Sequence, residues 1–213
     1  MIDLYYLSGS PYAWRVWLAL EHKALPYKRI DLSFQNGDLR KDSYLAMNPR
    51  GKVPVIVDDG VVIYESGVIL EYLDDRYGDS GSKLFGDDWQ SRVSKRLTIN
   101  ELELYLDPCI RRLMSSIFFT PKEDWDDIKI SRYLQALLEE LDGFEKFFIE
   151  SFESKTITAT ELSIFPLIAL VRRLEESKKD LGFSAQISEH LSNWLSWLDS
   201  MPIFRRTWPP HWS

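Results

Sequence analysis

The stretch Ser8-Gly9-Ser10-Pro11-Tyr12-Ala13-Trp14-Arg15-Val16 follows a short apolar run, Ile2 to Leu7, and opens a strongly helical segment. The apolar run is rich in aliphatic and aromatic residues and reads as a buried strand. Ser10-Pro11 is a good helix start. Serine is a preferred N-cap, and proline suits the first helical position because its missing N–H would be unpaired there anyway. Val16, Trp17 and Leu20 give this helix an apolar face, which should fade near Ala24-Leu25-Pro26. Tyr27 to Leu32 reads as a second strand, giving a β-α-β unit whose strands should lie parallel in one sheet.

Leu39 to Met47 is then expected as a short helix, ended by the turn cluster Asn48-Pro49-Arg50-Gly51. Val53 to Val57 and Val61 to Tyr64 flank Asp58-Asp59-Gly60, a strong hairpin signal. Ser66 to Tyr77 reads as a helix with Val68, Ile69, Tyr72 and Leu73 on one side. The order is β-α-β-α-β-β-α. Gly78 to Asp88 breaks the pattern with three glycines and a single Leu-Phe pair, as a linker between domains would. After it the texture is helical. Leu134, Leu137, Leu138, Leu141, Phe144 and Phe148 recur at three- and four-residue spacing, and Leu191, Trp194, Leu195 and Leu198 repeat that stripe. Thr158-Ala159-Thr160-Glu161 fits a capping box, and Pro166 should kink the helix it opens. The expected division is a domain over 1–77, a linker over 78–88 and an all-helical domain over 89–213.

Composition narrows the function. The 213 residues are 45% hydrophobic and include eight Trp, ten Tyr and eleven Phe, enough to fill a core. A net charge of −7 repels phosphate backbones, so nucleic acid is not expected as a partner. No apolar run approaches the length of about 18 residues that a membrane span needs. Met1-Ile2-Asp3-Leu4 lacks the basic region and apolar core of a signal peptide, so a cytoplasmic location is expected. The single cysteine, Cys109, excludes an intramolecular disulfide. His22, His190 and His211 match no metal spacing, and no metal is expected.

Three features of the first half carry candidate chemistry, and each also has a plain structural reading. Ser10 is either a simple N-cap or, at a helix start carrying partial positive charge, a hydroxyl that donates to a thiolate. Pro54 in Lys52-Val53-Pro54-Val55 is either an edge residue or part of a cis bond that turns the Val53 backbone toward a peptide ligand. Ser66 is either a second cap or, with the first N–H groups of its helix, a carboxylate site. Glu65 beside it would accept from the ammonium of the same amino-acid head group.

Together these residues resemble the cytosolic glutathione S-transferases over nearly the whole chain. The resemblance rests on Ser10 to Val16, Asn48 to Val55, Tyr64-Glu65-Ser66 with Val68 to Leu73, and the capping box. It implies a thioredoxin-like N-terminal domain, an all-helical C-terminal domain, a homodimer, and glutathione as co-substrate with a small electrophile as the second substrate. Ser10 matches the catalytic serine of the serine-type classes (theta, zeta, tau and phi). Val53 matches the residue whose backbone pairs with the cysteinyl part of glutathione, Pro54 the cis-proline, Glu65 and Ser66 the γ-glutamyl binders, and Lys52 a position that helps hold the peptide. Glu161 stands where the family usually has aspartate, and the loop expected over Glu150 to Thr156 lacks the usual glycine-aspartate turn. The same bound thiolate would serve peroxidase, isomerase or dehalogenase chemistry, and the fold also supports a non-catalytic binding protein.

Overall fold

A computed structural model describes residues 1–212. The chain divides into two compact units: Met1–Arg92 together with the segment from Pro202 onward, and Val93–Met201. The first unit holds a four-stranded sheet of β1 (Ile2–Tyr6), β2 (Tyr27–Asp31), β3 (Val55–Asp58) and β4 (Val61–Tyr64), in the order β2-β1-β3-β4. As the β-α-β reading requires, β1 and β2 run parallel, with Ile2 opposite Tyr27 and Tyr6 opposite Asp31. β3 is antiparallel to both neighbours, with Tyr5 opposite Val55 and Val55 opposite Tyr64.

Helix α1 (Pro11–His22) crosses between β1 and β2 and packs on the helix after the hairpin, α3 (Ser66–Arg76). Alternation along β1 buries Ile2, Leu4 and Tyr6 on one face. Asp58, at the end of β3, is buried and accepts from the hydroxyls of Tyr72 (2.9 Å) and Tyr77 (2.5 Å), which ties the hairpin to α3. The helix expected over Leu39 to Met47 is instead a 3-10 turn, Asp38–Arg40, and a single α turn, α2 (Asp42–Leu45). Lys41 between them is extended (ψ 141°) and interrupts the helical hydrogen bonding. In the linker stretch, Leu84 and Phe85 are fully buried, and their backbone N–H groups donate to Asp74 of α3.

A long helical run starts with α4 (Trp89–Glu101), passes through a π-helical segment (Leu102–Leu106) and continues as α5 (Asp107–Phe118). The second unit adds α6 (Asp127–Gly143), α7 (Glu145–Ser154), α8 (Ala159–Ser177) and α9 (Glu189–Ser200). α8 is buried almost throughout and is the axis of this unit; it continues as one element through Pro166. Trp194 of α9 packs among Phe147, Phe148 and Phe165.

Both halves of the capping box form: the Thr158 side chain accepts from the backbone N–H of Glu161, and Thr158 N–H donates to Glu161 Oε2 at 2.7 Å; Thr158 Oγ1 also accepts from Thr160 N–H at 3.3 Å. Glu161 also accepts from Ser151 Oγ, which accepts from Trp194 Nε1. Burial pushes the Glu161 carboxyl above its ordinary range despite these donors. The stretch expected as a loop over 150–156 is helical to Ser154. The chain reverses at Lys155 (φ 53°), so a lysine takes the left-handed position a glycine would occupy more easily. Cys109 is buried, and that burial raises its thiol pKa, as for a small core residue.

The last part of the first unit comprises α10 (Pro202–Arg206) and a 3-10 turn, Pro210–Trp212. It packs on α1. Among the described residues no helix is long and apolar enough to cross a membrane, and no group of three or more His, Cys, Asp or Glu is placed to hold a metal.

Candidate functional site

The sheet register gathers the three sequence features at one edge. β1 ends at Tyr6, β3 begins at Val55 and β4 ends at Tyr64, and Tyr5, Val55 and Tyr64 are successive cross-strand partners. The chain therefore leaves β1 toward Ser10, enters β3 from Val53-Pro54 and leaves β4 into Glu65-Ser66, all at the same end. Those exits span two strand spacings, roughly 10 Å.

Leu7 to Ser10 forms a β-turn closed by Ser10 N–H donating to Leu7 O at 3.1 Å. Its third residue, Gly9, has φ +86°, the positive value that a type II turn demands and glycine supplies without a steric penalty. Ser10 then caps α1, its hydroxyl oxygen accepting from Ala13 N–H at 3.3 Å. A hydroxyl has one proton and two lone pairs, so capping orients the oxygen and leaves the O–H to donate elsewhere.

The Val53–Pro54 bond is cis, and Pro54 is buried. Lys52 is exposed, but its carbonyl accepts from Tyr44 Oη (2.7 Å) and Asn48 Nδ2 (2.8 Å). Tyr44 and Asn48 are thus supporting residues without a local sequence signal beyond the Asn-Pro turn. The Tyr44 hydroxyl is pushed well above its ordinary pKa by burial and then by Tyr5, so it stays a donor.

At the third segment Glu65 has φ 67° and ψ 112°, outside the regions open to an ordinary residue, and Ser66 is buried. Such strain costs on the order of 1–3 kcal/mol and concentrates at binding sites. Unlike α1, α6, α8 and α9, α3 has no side-chain cap. Its first N–H groups therefore remain available to an anion. Of the two tyrosines on β1, Tyr6 points into the core against Trp17, and burial raises its hydroxyl pKa; Tyr5 faces the other way and lies against Tyr44.

Comparisons with known proteins follow the same lines. Residues 9–76 match the family model described as Glutathione S-transferase, N-terminal domain. Glutathione S-transferase hmp2 of Hypomyces subiculosus is 30% identical over 204 residues, covering 91% of this chain and 90% of that protein. Glutathione S-transferase A of Pleuronectes platessa is 26% identical over 219 residues, covering 96% and 90%. A crystal structure of a Burkholderia graminis glutathione transferase, with two glutathione molecules bound per subunit, superposes with a TM-score of 0.82 at 22% identity, covering 98% of this chain and 88% of that one. The 30% identity to the Hypomyces subiculosus protein over nine-tenths of both chains, with the family-model match over the sheet-bearing first unit, places the chain in the glutathione S-transferase family.

Proposed function

We propose that the chain is a glutathione transferase of the serine type, which binds glutathione along the sheet edge of its first unit and uses Ser10 to stabilise the thiolate. The sulfur then bonds to an electrophilic carbon of a small second substrate. The observation that carries this reading is the spacing of the three segments. An extended tripeptide is about 10 Å long, the same as two strand spacings. In this arrangement Ser66 and the open start of α3 hold the γ-glutamyl carboxylate, and Glu65 accepts from its ammonium. The Val53 backbone, presented ahead of Pro54, pairs with the cysteinyl unit, and Lys52 supplies positive charge nearby. Ser10 is left facing the sulfur.

The Ser66→Ala variant tests the head-group end. A hydrogen bond to a charged group contributes about 1.5–3 kcal/mol, so calorimetric titration should give roughly ten- to a hundredfold weaker glutathione binding. The effect should vanish with a glutathione analogue lacking the γ-glutamyl carboxylate. Unchanged affinity in Ser66→Ala would remove this end of the site. A panel of electrophiles and peroxides assayed with glutathione identifies the second substrate.

The same reading includes a homodimer in the cytoplasm, where thiols are kept reduced. The edge strand β4 exposes Val61, Val62 and Tyr64, and neighbouring Val68 of α3 is 57% exposed, a set of apolar side chains suited to burial by a second copy. Sedimentation velocity should give a two-chain species for the unmodified protein and a single chain for Val68→Glu. A single-chain species for both would rule the dimer out.

A further inference from the structure

The turn that carries Ser10 is gripped by a segment far away in the sequence. Ser8 Oγ and His211 Nδ1 are hydrogen-bonded at 2.9 Å across 203 positions. At Gly9 the imidazole lies so close that an added Cβ would meet His211 Nε2 at 2.9 Å and Cε1 at 3.0 Å, with Trp212 Nε1 at 3.3 Å behind it. Two of the four turn residues are therefore held from outside, one by a hydrogen bond and one by a ring resting on its backbone.

The holding segment is itself anchored on α1. Trp14 is fully buried, and Trp208 and Trp212 meet its ring edge-on, with centroids at 5.3 and 5.7 Å. Trp14 Nε1 donates to Thr207 Oγ1 at 2.9 Å, and Thr207 Oγ1 donates to Ile203 O at 2.7 Å. Nearer the other end of α1, Arg206 pairs with Glu21. Three indole rings packed in this way form a rigid base, so His211 is presented to the turn in a defined place.

We propose that His211 is a positioning residue for the thiolate-stabilising step: by holding Ser8 and covering Gly9 it fixes the Leu7–Ser10 turn, and with it the direction of the Ser10 hydroxyl. This rests on the reading of Ser10 as the donor to the glutathione sulfur. Cap formation with Ala13 sets where the Ser10 oxygen sits relative to α1. The turn sets the backbone from which the side chain departs. A four-residue turn containing glycine samples other conformations when released, and each one carries the hydroxyl away from the sulfur. A displacement of about 1 Å at a reacting centre costs up to about a hundredfold in rate.

The test uses the full chain with Ser8→Ala, Gly9→Ala, His211→Ala and His211→Asn, read as kcat, KM for glutathione and the pH profile of kcat at saturating glutathione. His211→Ala should lower kcat by about ten- to a hundredfold with KM changed less than about threefold, and should move the pH profile toward alkaline values. His211→Asn keeps a polar group for Ser8 and should recover part of the loss. The double variant Ser8→Ala/His211→Ala should be no worse than His211→Ala, since both remove one contact. Gly9→Ala should match or exceed His211→Ala. Arg206→Ala loosens the same segment away from the turn and should lower thermal stability while leaving kcat intact. Normal kcat and pH profile in His211→Ala, beside a crippled Ser10→Ala, overturn the positioning role and leave the Ser10 reading standing. An equal loss of kcat in Arg206→Ala also overturns it, because general loosening then suffices. Full activity in Ser10→Ala overturns the Ser10 reading itself.

Discussion

Ser10→Ala should lower kcat/KM for glutathione conjugation by about 10²–10³-fold, the usual cost of removing one preorganised donor from a developed anion. The loss should depend on pH. An ordinary thiol ionises near 8.5, and a hydroxyl donating to the thiolate at the start of α1 lowers that value in the bound peptide. In the unmodified protein the rise with pH of kcat, and of kcat/KM for the electrophile at saturating glutathione, should therefore centre below about 8.5. In the variant the rise moves up toward it, so the deficit is largest near neutrality and shrinks at alkaline pH. The start of α1 still favours the thiolate without the hydroxyl, which leaves a residual activity.

Because Ser10 is also the N-cap of α1, accepting from Ala13, the alanine variant loses about 0.5–2 kcal/mol of stability as well. Ser10→Asp separates the two roles. Aspartate is a good cap and suits the positive helix start, but its charge opposes a thiolate and it has no proton to donate. It should fold as well as the unmodified protein and be at least as inactive as Ser10→Ala. An active Ser10→Asp would mean that the cap, and not the hydroxyl proton, is what the reaction needs.

The parts of the fold legible in the sequence were those with a local physical cause. Ser10-Pro11 marks the start of α1, Asp58-Asp59-Gly60 marks the hairpin, and the leucine stripes of α6 and α9 mark buried helix faces. Each signal lies within a few residues of the structure it specifies. Where pairing decides between alternatives, local reading stopped. Lys41 breaks the helix expected over Leu39 to Met47, and no residue there announces it. Tyr44 and Asn48 hold the Lys52 carbonyl through contacts that only the folded turn creates.

The candidate site divides in the same way. Ser10, Val53-Pro54 and Glu65-Ser66 were readable singly as caps or edge residues, and the register of β1, β3 and β4 is what brings them to one edge. The positive φ of Glu65 has no sequence signature, since glutamate is not a residue that seeks that conformation. The aromatic run Trp208 to Trp212 lacked any period. Its order comes from contacts almost two hundred positions earlier in the chain, with Trp14 and with the Ser8-Gly9 turn.

Asp74→Ala should strongly destabilise the first unit. The side chains of Asp74 and Lys23 are both 0% exposed. The carboxylate accepts from Leu84 N–H at 2.6 Å, from Phe85 N–H at 3.1 Å and from Lys23 Nζ at 3.5 Å, with Arg92 at 3.7 Å. The shortest of these bonds goes to the linker backbone, so the first task of Asp74 is to hold Leu84 and Phe85 in the core. Its second is to neutralise a lysine that also donates to Ser82 O. Alanine leaves a buried ammonium without its counter-charge and two backbone donors without an acceptor. Breaking a buried pair from one side costs about 3–5 kcal/mol. For a chain of this size each kcal/mol shifts Tm by about 2–4 °C, so a fall of roughly 6–20 °C is expected in thermal denaturation. Asp74→Asn keeps an acceptor for one linker N–H and should lose less. Lys23→Met combined with Asp74→Ala should recover part of the loss by removing the stranded charge, while the linker donors keep it below the unmodified protein. If Asp74→Ala melts within about 2 °C of the unmodified protein, the linker is held by the burial of Leu84 and Phe85 alone.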